Sequence, residues 1–286
     1  MLDDVLKKRI LDAVRQKPRS IDELATLIRK NWRTADRYVQ RIAETEGSIS
    51  VRTFREGTRG ALKIVFWVSA ESIHSSEFQE RLFKHIEMGR KKSDFSPSEI
   101  YQYVDEKKKD AVILTEDYLD SKSNFEDYRE RLLGTKSELF LFSGNLSLVN
   151  MGTKKEDVAD VLEKIAKRGV NIRILTRVEI PGIENIRRIL EINNKVGKKM
   201  VDIRHCFHPL RGTIFDDSVA ILKEIRKPEI YVKGELKEKM TTFYRIYDKE
   251  WIEWLKNVFW AMFRSSISAE RRIEDISGMQ TVKVHR

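Results

Sequence analysis

The sequence predicts an α/β protein in two parts: a small basic module of three helices closed by a β-hairpin, and a larger unit in which strands and helices alternate. Three observations predict it. Over residues 1–46 apolar residues recur at helical spacing in three stretches, and the following twenty residues switch to strand-like alternation. From residue 139 onward, short runs of Leu, Ile, Val and Phe alternate with amphipathic stretches, the pattern of strands joined by crossover helices. The charge is also unevenly placed. Residues 1–70 hold 15 Lys and Arg against 9 Asp and Glu, so most of the chain's net +10 lies in its first quarter.

The length of 286 residues favours two domains over one and is ample for a core without staples. The single cysteine, Cys206, excludes an internal disulfide framework and any multi-cysteine metal site. No metal or cofactor is expected, and the expected setting is reducing and cytoplasmic. No uncharged apolar run reaches the roughly 20 residues of a membrane span, and Met1-Leu2-Asp3-Asp4 opens no signal-peptide core. A basic balance suits a polyanionic partner.

Leu2, Val5, Leu6, Ile10, Ala13 and Val14 predict a first helix from about 3 to 16, stopped at Lys17-Pro18. Ser20 and Glu23 form a capping box, followed by a second helix with Ile21, Leu24, Ala25 and Ile28 inward. Asn31 is placed to cap a third helix from Trp32 to about Glu46. On that helix Ala35, Val39, Ile42 and Ala43 make the buried stripe. Arg33, Arg37 and Arg41 stand at i, i+4 and i+8 on another face, with Thr34 and Tyr38 beside them. Gly47 ends the helix. Two alternating strands then flank Arg55-Glu56-Gly57-Thr58-Arg59-Gly60, a turn whose tip carries Arg55 and Arg59. Three helices and a basic-tipped hairpin in this order are the winged helix-turn-helix pattern. Its third helix suits the major groove of double-stranded DNA, where arginine forks reach guanine edges or phosphates.

Residues 71–120 read as a helical, polar linker, with a stripe at Phe78, Leu82, Phe83 and Ile86, lysine-rich runs at 90–92 and 107–109, and a helix start at Ser96-Pro97-Ser98-Glu99. Residues 121–264 read as a mostly parallel sheet with crossover helices and then a hairpin. Strands are expected at 139–142, 172–175, 201–204, 212–215 and 219–222, with a further edge at 229–232. A closing helix at about 249–264 carries Trp251, Trp254, Phe259, Trp260 and Phe263 nearly all round it. That is more apolar surface than one sheet face covers, so this helix or the Phe78–Ile86 stripe is expected at a homodimer interface. Residues 265–286 read as a fraying polar tail.

In open α/β sheets small molecules bind beyond the carboxyl ends of the strands. Those ends carry Ser143, Gly144 and Asn145, then Thr176 and Arg177, with His205, His208 and Arg211 near the following hairpin. Ser143, Asn145, Arg177, His208 and Arg211 are therefore the expected contacts for a polar or anionic effector. His205, Cys206 and His208 are not grouped as a metal site: successive strand residues face opposite ways, so one site would receive Cys206 and His208 at most, with no other clustered ligand. The same reasoning makes Asp216-Asp217 a turn rather than a catalytic pair.

The order of elements after residue 120 resembles one half of a phospholipase D-like fold. That family is marked by His-x-Lys, four residues and Asp. Here His208-Pro209-Leu210-Arg211 leads to Asp216, so Arg211 and Asp216 keep the Lys-to-Asp spacing with arginine substituted, Pro209 stands at the histidine position, and His208 is one residue out of register. The whole chain resembles the archaeal TrmB-like transcriptional regulators, which join a winged helix, a linking helix and a degenerate phospholipase D-like domain. The resemblance implies a dimeric DNA-binding regulator, often sugar-responsive, in which the displaced histidine and missing lysine argue against catalysis; recruitment of general transcription factors or RNA polymerase is compatible with either lysine-rich run of the linker. The competing readings are a phospholipase D-like nuclease or phosphodiesterase targeted by a winged helix, and a protein–protein adaptor.

Overall fold

The Ser20 hydroxyl accepts a hydrogen bond from the Glu23 N–H (3.1 Å), and the Glu23 carboxylate accepts one from the Ser20 N–H (2.8 Å). This reciprocal box starts a helix where two otherwise orphaned donors need partners. The computed structural model describes residues 4–46, 48–55, 61–67, 77–115, 122–232 and 235–279. The chain divides into two compact units, Met1–Ser75 and Ser76–Arg286.

In the first unit α1 spans Asp4–Gln16, α2 Ile21–Ile28 and α3 Trp32–Glu46. Arg29 closes α2 in the left-handed region (φ 54), and the Asn31 side chain accepts from the Thr34 N–H (2.9 Å) to open α3. A three-stranded sheet follows in the order β1 (Arg19–Ser20), β3 (Ala61–Trp67), β2 (Ile49–Arg55), all antiparallel. The core joins Ile10 and Val14, Ile21 and Leu24, Val39 and Ile42, and Val65. Tyr38 belongs to it as well, only 5% exposed. The expected turn at 56–60 and Gly47 lie outside the described residues.

The second unit carries α4 (Glu77–Met88), a short α5 (Ser98–Tyr101), β4 (Lys109–Thr115), α6 (Lys122–Gly134), β5 (Glu138–Phe142), α7 (Val158–Lys167), β6 (Asn171–Thr176), α8 (Ile183–Val196) and β7 (Val201–His205). It continues with β8 (Gly212–Phe215), β9 (Val219–Arg226), β10 (Met240–Ile246), α9 (Lys249–Ser265), β11 (Ile267–Ser268) and α10 (Ala269–Ser277). Eight strands form one sheet in the order β11-β7-β6-β5-β8-β9-β10-β4. Among these pairings only β5–β6 and β6–β7 are parallel; the other five are antiparallel. The expected mostly parallel sheet is thus a mixed one. Crossover helices are needed only between parallel neighbours, whereas β8 and β9 turn back through Asp216–Ser218 without one.

Four more expectations are corrected. Within the expected linker, the described residues 77–115 are not a separate segment: α4, α5 and β4 belong to the second unit, and β4 is an edge strand of its sheet. The segment at 229–232 is no strand; Pro228–Ile230 is a 3₁₀ turn, and proline supplies no ladder donor there. The edge falls instead to β4, with β10 paired between it and β9. Residues 265–279 do not fray as a polar tail, since β11 pairs with β7 and α10 brings Ala269, Ile273 and Ile276 onto the core.

The aromatic helix α9 is covered by its own chain, which corrects the fourth expectation. Phe140 and Phe142 on one sheet face meet Phe259 edge-on, both at 5.1 Å between ring centres. Phe78 of α4 stacks on Tyr103 (4.8 Å) and Trp251 (6.3 Å), and Leu82, Phe83 and Ile86 are buried. The aromatic face of α9 is thus closed within its own chain, and of the Phe78–Ile86 stripe only Phe78 remains exposed. Leu139 and Leu141, on the opposite sheet face, pack under α7 and α8 with Val161, Ile165, Ile186 and Ile189. Among the described residues no helix is long and apolar enough to cross a membrane.

Candidate functional site: an arginine-bearing helix and a cationic cleft

On α3, Arg33, Arg37 and Arg41 are exposed, while Ala35, Val39 and Ile42 on the other side are fully buried. At about 1.5 Å of rise per residue the first and last arginine stand about 12 Å apart along one face. None of the three pairs with a carboxylate among the described residues. Thr34 is half-buried at the helix start. Tyr38 is corrected as a contact residue. Residues 35, 38, 39 and 42 fall at i, i+3, i+4 and i+7, so its ring faces the core, and the Arg37 guanidinium lies 5.8 Å from its centre. Trp32 and Lys63 flank this helix start: the lysine lies 5.2 Å over the indole and pairs with Asp36 at 2.8 Å. Of the hairpin arginines, Arg59 and the side chain of Arg55 lie outside the described residues.

The second site grows out of the sheet. Register places Asp110, Arg245, Ile221, Thr213 and Leu141 in one cross-strand row, and Val112, Phe243 and Lys223 in the next. The helical layer over this face reaches α6, where the Tyr128 hydroxyl shares a 3.0 Å hydrogen bond with Thr213 and burial lifts the phenol to about 12. Beyond α6, Val112, Leu114, Ile225 and Phe243 are only half-buried and floor a cavity of about 730 Å³. That volume falls within the range of small-molecule sites.

Cations dominate the walls. Lys91, Lys92, Arg177, Arg211, Lys223 and Lys227 line the cavity together with Arg131 and Arg245, against a single carboxylate, Asp127, among the described residues. Asp127 is already shared between Arg131 (3.4 Å) and Arg245 (3.7 Å). Gly144 anchors the two inner arginines. Its carbonyl accepts from the Arg177 N–H (2.8 Å), and a Cβ there would lie 2.7 Å from the Arg211 Nη2, so the glycine makes room for that guanidinium. Among the described residues Arg211 donates to the carbonyls of Leu210 (2.6 Å) and His208 (3.3 Å). Burial first, and then Arg177, push its acidity toward neutrality, to about 10. Burial and neighbouring cations lower Lys92 and Lys223 in the same direction. The Arg177 Nε is buried with no hydrogen-bond partner.

The structure therefore brings Ser143, Asn145, Arg177 and Arg211 to one cavity and leaves His208 out. His208 is fully buried with its ring against Phe142 at 5.6 Å and its Nε2 at 3.2 Å from the Leu175 carbonyl oxygen. Burial, and next the Arg211 charge, lower its pKa to about 3. Sequence reasoning missed Lys91, Lys92, Lys223 and Lys227. Lys223 carried the readable signal: it stands between Ile221 and Ile225 at a period-two position that an apolar residue would normally fill.

Asp216 is structural. At φ 49 it accepts from the N–H groups of Lys136 (2.8 Å), Ser137 (2.9 Å) and Glu138 (2.9 Å) and from the Ser137 hydroxyl, tying the β8–β9 turn to the start of β5. Asp217 pairs instead with Lys256 at 2.8 Å. Burial opposes ionisation of Asp216, but the N–H donors outweigh it and hold the carboxyl below its usual range. The stability it contributes is whole above an unfolded pKa of about 3.9 and fades as pH falls through the lower folded value. Asp216→Asn is therefore expected to lower the melting temperature at pH 6 and to flatten its decline in acid, which thermal melts from pH 6 to 3 read; parallel curves for both proteins would refute the role. The His205 Nδ1 accepts from the Val178 N–H at 2.9 Å. Among the described residues no cluster of three His, Cys, Asp or Glu is placed to hold a metal.

No family model matches the chain, and no curated protein matches it. Solved structures similar to it include Nuc, a phospholipase D family member from Salmonella typhimurium, at 12% identity and TM-score 0.40, covering 56% of this chain and 97% of that one. NucT from Helicobacter pylori matches at 12% identity and TM-score 0.39, covering 56% of this chain and 99% of that one. TrmBL2, described as an archaeal chromatin protein with a novel mode of DNA binding, matches at 13% identity and TM-score 0.34 over 93% of this chain and 94% of its own.

Proposed function

We propose that this protein is a cytoplasmic, sequence-specific regulator of transcription that binds double-stranded DNA through its first unit, a winged helix-turn-helix with α3 as the recognition helix. The observation that carries the reading is the row of Arg33, Arg37 and Arg41, exposed and without carboxylate partners among the described residues, on a helix anchored by a fully buried apolar stripe. Such a helix fits the major groove, and forked guanidinium groups there recognise guanine edges or phosphates. Arg55 and Arg59 join the interface on sequence grounds as wing contacts to backbone. Two chains on an inverted repeat, with half-sites about one helical turn apart, and recruitment of the basal transcription machinery complete the proposal.

Selection of bound duplexes from a random pool, followed by equilibrium titration at fixed salt, tests it. The selected site is expected to bind about 10³-fold or more tightly than a scrambled duplex. Equal affinity would reduce the protein to a general polyanion binder. Sedimentation of the complex counts the chains per site.

The competing reading, a phosphodiesterase, needs an accessible nucleophile in the second unit. The burial of His208 against Phe142, away from the cavity, supports the non-catalytic reading. No turnover of bis-p-nitrophenyl phosphate is expected. Turnover that disappears in His208→Ala would restore the enzyme.

A further inference from the structure

We propose that the cleft of the second unit binds an amphipathic organic anion, its acidic head held at Arg177 and Arg211 and its apolar body laid on the sheet floor. This is independent of the DNA reading. Four features converge on it. The floor of Val112, Leu114, Ile225 and Phe243 is apolar and only half-buried, so a hydrocarbon or aromatic body laid there would be removed from water. Both head-group arginines are held at one residue, Gly144, one through its main-chain N–H and the other by packing over the glycine where no side chain intervenes. The Arg177 Nε is buried without a hydrogen-bond partner among the described residues, so this cavity-lining guanidinium is not fully satisfied by the protein. The third feature has an electrostatic counterpart: among the described lining residues the one carboxylate, Asp127, is engaged by Arg131 and Arg245, and no described carboxylate lining the cleft faces Arg177, Arg211, Lys92 or Lys223.

The chemistry selects both halves of the ligand. Two guanidinium forks suit an oxyanion of two or three oxygens, a carboxylate or a phosphate monoester. A bare inorganic anion would leave the floor wet, and a neutral lipid would leave the cations unpaired. Lys223 marks the junction: its stem lies in the row of Phe243, with the ammonium 5.4 Å over that ring. The lowered pKa of Lys92, Arg211 and Lys223, caused by burial and by neighbouring cations, agrees with a site that gains from a counter-charge.

Calorimetric titration of the full chain with decanoate, decyl phosphate, 1-decanol, acetate and inorganic phosphate, all below micellar concentration, tests the proposal. Decanoate or decyl phosphate is expected to bind at least tenfold more tightly than decanol and than the matching bare anion, and the tighter of the two identifies the head group. Lys223→Met and Arg177→Met keep much of the apolar volume and remove the charge. Each is expected to weaken the decyl anion about tenfold or more, while the ligand-free protein melts no lower than the parent because like-charge repulsion is relieved. Decanol binding as well as the decyl anions would make the cleft a plain apolar groove. Inorganic phosphate binding as well as decyl phosphate would make it a plain anion hole. Unchanged affinity in both variants, or no binding by any probe, would overturn the proposal outright.

Discussion

With Arg33, Arg37 and Arg41 all replaced by alanine, the protein is expected to lose its selected DNA site almost entirely. Each base-reading or phosphate-gripping arginine is worth about 1–3 kcal/mol of binding or discrimination. The outer two stand far enough apart along the helix for their effects to be nearly additive. The loss is therefore on the order of 10²-fold at least in affinity, with a salt slope shallower by about one unit for each phosphate contact removed. Alanine is the strongest helix former and the side chains are exposed, so α3 should survive. Anisotropy titration at several salt concentrations measures the loss, and circular dichroism checks the helix. Tyr38→Phe is the internal contrast: its ring lies in the core, so DNA affinity should stay within a factor of about two. A triple variant that still binds like the parent would take α3 off the DNA.

The largest expected effect on stability lies at Phe259. Its ring is fully buried, edge-on to Phe140 and Phe142 and stacked on Phe263 at 5.3 Å. Phe259→Ala removes the centre of that cluster and leaves a cavity that rigid neighbours on a strand and a helix fill only in part, which costs about 3–5 kcal/mol. Urea unfolding followed by tryptophan fluorescence reads it directly, because Trp251, Trp254 and Trp260 share the helix. A loss below about 1 kcal/mol would mean that α9 is less tightly packed than its burial indicates. Trp254→Phe is expected to cost much less, since the indole Nε1 is buried without a partner and its removal also removes an unsatisfied donor.

How much of this was legible before the structure depends on which residues carried each element. The first unit was legible because its boundaries rest on local chemistry: Ser20 with Glu23, and Asn31 with the Thr34 N–H, are caps that a short window contains. Strands β5 and β6 were legible because buried parallel strands are mostly apolar runs, and β7 because Val201 and Ile203 alternate with polar residues. Strand β4 was not, because the run Lys107-Lys108-Lys109 leads into its first residue and Ile113, 58% exposed, lies on the side opposite Val112 and Leu114. Strand β10 hides behind two threonines and an arginine, and only pairing on both sides makes it a strand. The face of Tyr38 was present in the helical period, but the phenol suggested a contact. The fate of His208 depends on how the loop after β7 folds inward, which no local pattern records. The cleft was half legible: the strand ends gave Ser143, Asn145, Arg177 and Arg211, whereas the lysines reach it through tertiary placement.

The position of β4 at the sheet edge has a temporal consequence. Thr115 is in register with Met240, a residue 125 positions later, and Lys109 with Ile246. A ribosome moving at about 5–20 residues per second therefore exposes the β4 segment for about 6–25 seconds before its pairing strand exists. Over that interval Val112, Ile113 and Leu114 have no native hydrogen-bonding neighbour, and the three parallel strands between them have time to collapse with α7 and α8 first. The lysines at 107–109 then act during synthesis as well as in the finished protein, because charge beside an unpaired strand discourages chance association with other nascent chains. Closure of the sheet becomes the late, slow event, as expected when contacts join distant parts of a chain.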